Sequence, residues 1–176
     1  MDIHQIQVKY DPLADRLLLQ IRTRDDSLFP IWLTRRMVMR LWPHLHGMVS
    51  GLAVTRSAPA ALAVPEARDM LADAARQRAL KSADFKTEFN PSSARQPLGP
   101  EPALPMAIDL RPAQGQAVVL VIRDTAGHSL ELALGEDLAH GLLALVESAL
   151  ASSDWGLTVQ PAAGTEPAAP PARMLN

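Results

Sequence analysis

Hydrophobic and polar residues alternate over residues 4–10, with Ile6, Val8 and Tyr10 on one face and Gln5, Gln7 and Lys9 on the other. A period of two marks a strand with one buried face. Asp11-Pro12-Leu13-Ala14-Asp15 interrupts the pattern with turn residues, and proline pre-sets the bend. Alternation resumes from Arg16 to Thr23, where Leu17, Leu19 and Ile21 share a face. A second polar turn, Arg24-Asp25-Asp26-Ser27, leads to a third segment from Leu28 to Leu33 that groups Phe29, Ile31 and Leu33. Three strands joined by short turns predict an antiparallel meander. Pro30 cannot donate to a ladder, which assigns the third strand to a sheet edge or a bulge.

Beyond Thr34, a good N-cap, the period becomes helical. Met37, Leu41 and Leu45 recur at four-residue spacing with Val38 and Trp42 beside them. Pro43 would clash with the carbonyl of Met39, so this helix is expected to kink or end nearby, with Gly47 as a stop. Residues 51–64 give no clear period. Pro65 and Glu66 open a second helix reaching about Phe85, with Ala67, Met70, Leu71 and Ala74 as a narrow apolar face. Five prolines between Asn90 and Pro105 predict a semi-extended, mobile linker. Alanine and proline dominate residues 160–176, which predicts a disordered tail.

The opening pattern returns after the linker. Met106, Ile108 and Leu110 alternate with Ala107, Asp109 and Arg111, and AVVLVIRD and SLELAL follow as further strands. Gly135 caps a helix whose first turn holds Glu136 and Asp137, where carboxylates complement the dipole. Leu138, Leu142, Leu145 and Ala149 line it. Residues 17–49 lie over 118–150 without a gap, five of 33 being identical, Leu19 on Leu120 and Arg22 on Arg123 among them. An offset of 100 sets Val8 on Ile108 and Pro12 on Pro112, which makes the second hairpin turn one residue longer. Gly51-Leu52-Ala53-Val54 resembles Gly156-Leu157-Thr158-Val159 at an offset of 105, so the second helix is expected to be about one turn longer. The fold class is α+β: two similar βββα units over residues 1–57 and 106–159, joined by a connecting helix over 65–89 and a Pro-rich linker over 90–105.

Composition then narrows the chemistry. Aromatic residues are 4% of the chain, so the core is built from Leu, Val, Ala and Met. The absence of cysteine excludes disulfides, thiolate metal sites and cysteine nucleophiles, and it fits a reducing compartment. There is no basic segment followed by an apolar run at the start, and no stretch long enough to span a membrane. A cytoplasmic protein without membrane contact is expected. The net charge of −2 is segregated, at +3 over residues 1–57, +1 over 58–100 and −6 over 101–176. Such asymmetry suits halves that face different partners, or each other across a dimer.

Catalytic candidates are sparse. His44 and His46 are two apart, about 200° on a helix, and none of the five histidines has the spacing of a zinc helix. Asp25-Asp26 and the Asp11, Asp15 pair sit in turns, where aspartate is ordinary. Neither a metal nor a cofactor is expected, and the balance leans away from an enzyme.

One surface carries a signal. The outer face of the first sheet presents Lys9, Gln20, Arg22 and Trp32, and Arg35, Arg36 and Arg40 follow on the helix. Cations and amides around one indole suit a single-stranded nucleic-acid platform. The βββα duplication is similar in topology to the PUR-repeat and Whirly architectures, which bind single-stranded nucleic acid. Both usually have four strands before the helix, and their motif residues do not occur here. The equivalent face of the second unit, Ala107, Asp109, Arg111, Val119, Val121, Arg123, Ser129, Glu131 and Ala133, is neutral and partly apolar, which suits protein contact better than phosphate. The expected function is a non-enzymatic binding or accessory module acting through protein–protein contact as a homodimer. The alternative is single-stranded nucleic-acid binding through Lys9, Arg22, Trp32, Arg35, Arg36 and Arg40.

Overall fold

The computed structural model describes residues 2–57, 64–84, 87–91, 94–113 and 117–156. Strands Ile3–Asp11 (β1), Arg16–Thr23 (β2) and Leu28–Thr34 (β3) form one antiparallel sheet, followed by helices Arg35–Ser57 (α1) and Pro65–Ser82 (α2). Strands Pro105–Ala113 (β4), Ala117–Asp124 (β5) and Ser129–Gly135 (β6) form the second, followed by helix Glu136–Ala151 (α3). The fold is α+β, with two three-stranded antiparallel sheets each followed by a helix.

Strand register defines the repeat more sharply than the side chains do. Leu19 faces Ile31 across β2 and β3, and Leu120 faces Leu132 across β5 and β6, an offset of 101. Across the first hairpins, Leu19 faces Val8 while Leu120 faces Leu110. That makes the offset of the first strands 102, not 100, and the second hairpin turn one residue shorter, not longer. The two shifts are indistinguishable by pattern, since moving a strand by two residues leaves every side chain on its face. Both copies also carry an irregularity at equivalent places, between Ile3 and Gln5 and between Pro105 and Ala107. The second turns match too: Asp26 has φ 57° where Gly127 has φ 89°.

The inner faces of both sheets share one core. Leu17, Ile21, Ile31, Leu120, Leu132 and Leu134 are essentially inaccessible, and Trp42 of α1 and Leu143 of α3 are buried against them. Each such aliphatic side chain contributes about 1.5–3 kcal/mol through burial. The helices cross between units. α3 lies along β1 of the first sheet as well as its own β5 and β6, and α1 reaches β4 and β5 as well as β3.

Four sequence expectations about helices are corrected. α1 continues through Pro43 and Gly47 to Ser57. Pro43 and Met39 lie on its exposed side, while Val38, Trp42, Leu45, Val49 and Val54 hold the opposite side in the core. The buried stripe is thus rotated from the expected one, and Met37 and Leu41 are only half-buried. α1 has 23 residues against 16 in α3, so the second helix is the shorter. In α2 the buried residues are Ala75 and Ala79, while Met70 is 74% exposed.

The Pro-rich segment is not a free linker. Arg95 bridges Ser27, just before β3, and Ala103 bridges Ile31 within it, both in parallel fashion. Leu28 N donates to Arg95 O at 2.7 Å, and Trp32 N donates to Ala103 O at 2.8 Å. Arg95 N and Ala103 N return bonds to Asp26 O and Pro30 O at 2.8 and 2.9 Å. Pro30 lies between the two donors, so its missing N–H falls on this outer edge, and β3 is the edge strand its proline predicted. Opposite that gap the segment turns away, with Gly99 at φ 96° donating to Gln96 O at 3.0 Å. The expected tail over 160–176 lies outside the described residues, as do residues 157–159 of the second unit. No described helix is long and apolar enough to cross a membrane.

Candidate binding groove

The structure separates the six residues singled out from the sequence. Lys9 faces Leu18 across β1 and β2, and Leu18 faces Trp32 across β2 and β3, so these three form a row on the outer face. Trp32 is half-buried beside the docked 94–103 segment. Arg22 sits at the far end of the sheet and is already engaged. Its guanidinium donates to Asn90 O and pairs with Asp26 at 2.8 Å, leaving the side chain 15% exposed. Arg35, Arg36 and Arg40 are exposed on α1, with no acidic partner among the described residues.

The outer face of the second sheet carries its charged residues in pairs. Ion pairs Arg111–Glu131 and Arg123–Asp109 straddle the strands. Val119 and Val121, on β5 between those partners, are only 7% and 6% exposed. The charged chains lie over the valines and spread their own heads into solvent, so this face presents charge rather than an apolar patch.

A feature not anticipated lies between α1 and β4. Arg36, Met37, Arg40, Leu41, His44 and Met48 of α1 face Met106 to Leu110 of β4 across a groove of about 810 Å³. α1 touches β4 less extensively than α3 touches β1, which leaves this space. Four of the seven methionines line it, and Met39 and Met106 are 53% and 67% exposed. Methionine is unbranched and polarisable, suited to surfaces that adapt to what they meet. The electrostatics are one-sided. Thr34 caps α1, with Met37 N donating to its Oγ1 at 3.3 Å, but the first turn holds two arginines and no carboxylate. Cations there oppose the helix dipole. The one acid of the groove, Asp109, is paired with Arg123.

Comparison with protein-family models, curated proteins and solved structures gives no match in any of the three. The site therefore rests on its own geometry.

Other polar groups are held in local structure. Burial lowers the pKa of His140, which is 3% exposed between α2 and α3 with neither ring nitrogen bonded. His46 is likewise lowered by burial, and lies against the indole of Trp42 with ring centres 6.1 Å apart. No group of metal-ligating side chains occurs among the described residues. Asp15 accepts the indole N–H of Trp155, and the Tyr10 hydroxyl lies 3.1 Å from both Asp15 and Asp154. Tyr10 and Trp155 meet edge to face at 5.8 Å, fastening the end of α3 to the first hairpin. Asp15 adopts φ 48° there, a role the turn composition alone did not indicate.

The groove was partly legible in the sequence. Arginines in a first helical turn and three methionines within twelve residues of α1 were both visible. That β4, some seventy residues on, forms the other wall was not.

Proposed function

We propose that this protein is a non-catalytic binding module that acts through contact with other protein surfaces. The observation that carries the reading is the groove between α1 and β4, exposed, lined by methionines and edged by arginines that have no acidic partner among the described residues. Exposed methionines give a surface able to adapt to what it meets, and arginines beside them add charge recognition. Self-association is part of the reading through Leu18 and Trp32 on the first sheet; the charged residues beside Val119 and Val121 argue against the second sheet in that role. A photoreactive residue at position 39 should give discrete protein adducts in producing cells, while the same residue at Met70, more exposed on α2, should not. Adducts of equal yield at both positions, or none at position 39, would count against it.

Single-stranded nucleic acid is the second reading, favoured by the row of Lys9, Leu18 and Trp32 and by Arg35, Arg36 and Arg40. The engagement of Arg22 weakens it. Oligonucleotide binding that weakens with salt and with Trp32→Ala would support this reading, and no binding at low salt would remove it.

A further inference from the structure

The outer strands of the two sheets are β1, β3, β4 and β6, and three of them are guarded against pairing. β3 is closed by the 94–103 strap, which takes the Leu28 and Trp32 N–H groups and donates to Asp26 O and Pro30 O. β1 breaks its register between Ile3 and Gln5 and packs against α3. β4 breaks its register between Pro105 and Ala107, and Pro112 removes a further donor. Bulges, prolines and covering segments keep an exposed edge from templating another strand. β6 has none of them. It runs Ser129-Leu130-Glu131-Leu132-Ala133-Leu134-Gly135 without proline and pairs with β5 in unbroken register. Among the described residues, no segment bonds along its outer side.

At the offset of 101 that relates the units, Leu28, Pro30 and Trp32 of the strapped edge correspond to Ser129, Glu131 and Ala133. The same backbone groups therefore point away from β5, and Glu131 adds an N–H where Pro30 has none. Their side chains are exposed, while Leu130, Leu132 and Leu134 are buried on the inner face. We infer that the edge of β6 pairs antiparallel with β6 of a second copy, joining the two second sheets into one. An edge of this kind is its own complement under a two-fold axis. An axis at Leu132 sets Glu131 opposite the partner's Ala133, each such pair exchanging both of its N–H···O bonds. An axis at Glu131 would oppose like charges and is disfavoured. Glu131 is the one carboxylate of β6, and it is already paired with Arg111 of its own sheet at 3.4 Å, so no uncompensated charge is brought in. With the other outer strands guarded, pairing closes at two copies and does not grow into a fibre. The inference goes beyond the protein-binding reading above, since the α1–β4 groove takes no part in it.

Pro30 supplies the decisive variant. The fold accepts proline at the equivalent position of β3, so Glu131→Pro removes the outward N–H without touching the bonds to β5. Glu131→Ala keeps that N–H and loses only an exposed ion pair, which contributes little. Contact through one strand is small, so the full-length protein should show a monomer–dimer equilibrium in sedimentation between roughly 1 µM and 1 mM. Glu131→Ala should leave that equilibrium unchanged. Glu131→Pro should weaken it about tenfold or more, with circular dichroism preserved. Hydrogen exchange gives a second readout on the unsubstituted protein. The Glu131 and Ala133 amides should gain protection as concentration rises, while the Trp32 amide, held by the strap, stays as it is. A monomer throughout that range overturns the inference. A dimer that survives Glu131→Pro and leaves the Glu131 and Ala133 amides exchanging freely also overturns it, and moves self-association to the face of Leu18 and Trp32. Protection of those amides that is independent of concentration shows the edge closed within one chain, and overturns it as well. The crosslink at position 39 judges the protein-binding reading separately from all of these.

Discussion

Tyr10 is the sole tyrosine, which makes its titration readable without interference. Partial burial, with its hydroxyl donating toward the Asp154 and Asp15 carboxylates, pushes its pKa from 10.0 up to about 12. The folded protein therefore keeps the phenolic proton between those values while the unfolded chain loses it. Stability from this group is full below pH 10 and lost as pH rises through about 12. Absorbance titration should give a midpoint near the higher value, and Asp154→Asn with Asp15→Asn should bring it back toward the ordinary one. A normal midpoint in the unsubstituted protein would contradict the geometry. At this scale the sequence was only half informative. Turn aspartates were recognisable, but nothing local marked Asp15 as the acceptor for Trp155, which lies 140 residues away.

Elements were legible where their signal is local. β2 and β6 follow the period of two, and Thr34 and Gly135 mark the starts of α1 and α3. The course of α1 past Pro43 was not legible, because core packing of Leu45, Val49 and Val54 outweighs a break placed on the solvent side. Pairing of residues 94–103 with β3 was hidden for a related reason: a Pro-rich composition describes the free chain, and bridges made at long range are not written in it. That strap is testable by itself. Ala103→Pro removes the N–H that bonds Pro30 O, at a cost of about 1 kcal/mol or more. Hydrogen exchange at the Trp32 amide should then quicken, while the β2 amides facing β3 stay protected. Unchanged exchange at Trp32 would mean that the strap does not hold the edge.

Across the whole molecule, the exchange of helices between sheets makes the two halves interdependent. α1 packs on β4 and β5, and α3 packs on β1, so neither unit closes its own core. A fragment of residues 1–57 is expected to lack fixed tertiary packing, giving weak near-ultraviolet circular dichroism. Addition of a fragment covering residues 64–176 should restore it. A cooperative melt from the first fragment alone would disprove the interdependence. The same crossing has a consequence for symmetry. Two interlocked repeats of equal standing would offer two equivalent grooves, but among the described residues Ala79 and Ser82 of α2 border only the depression between α3 and β1, so the fold's two halves differ in the surfaces they offer.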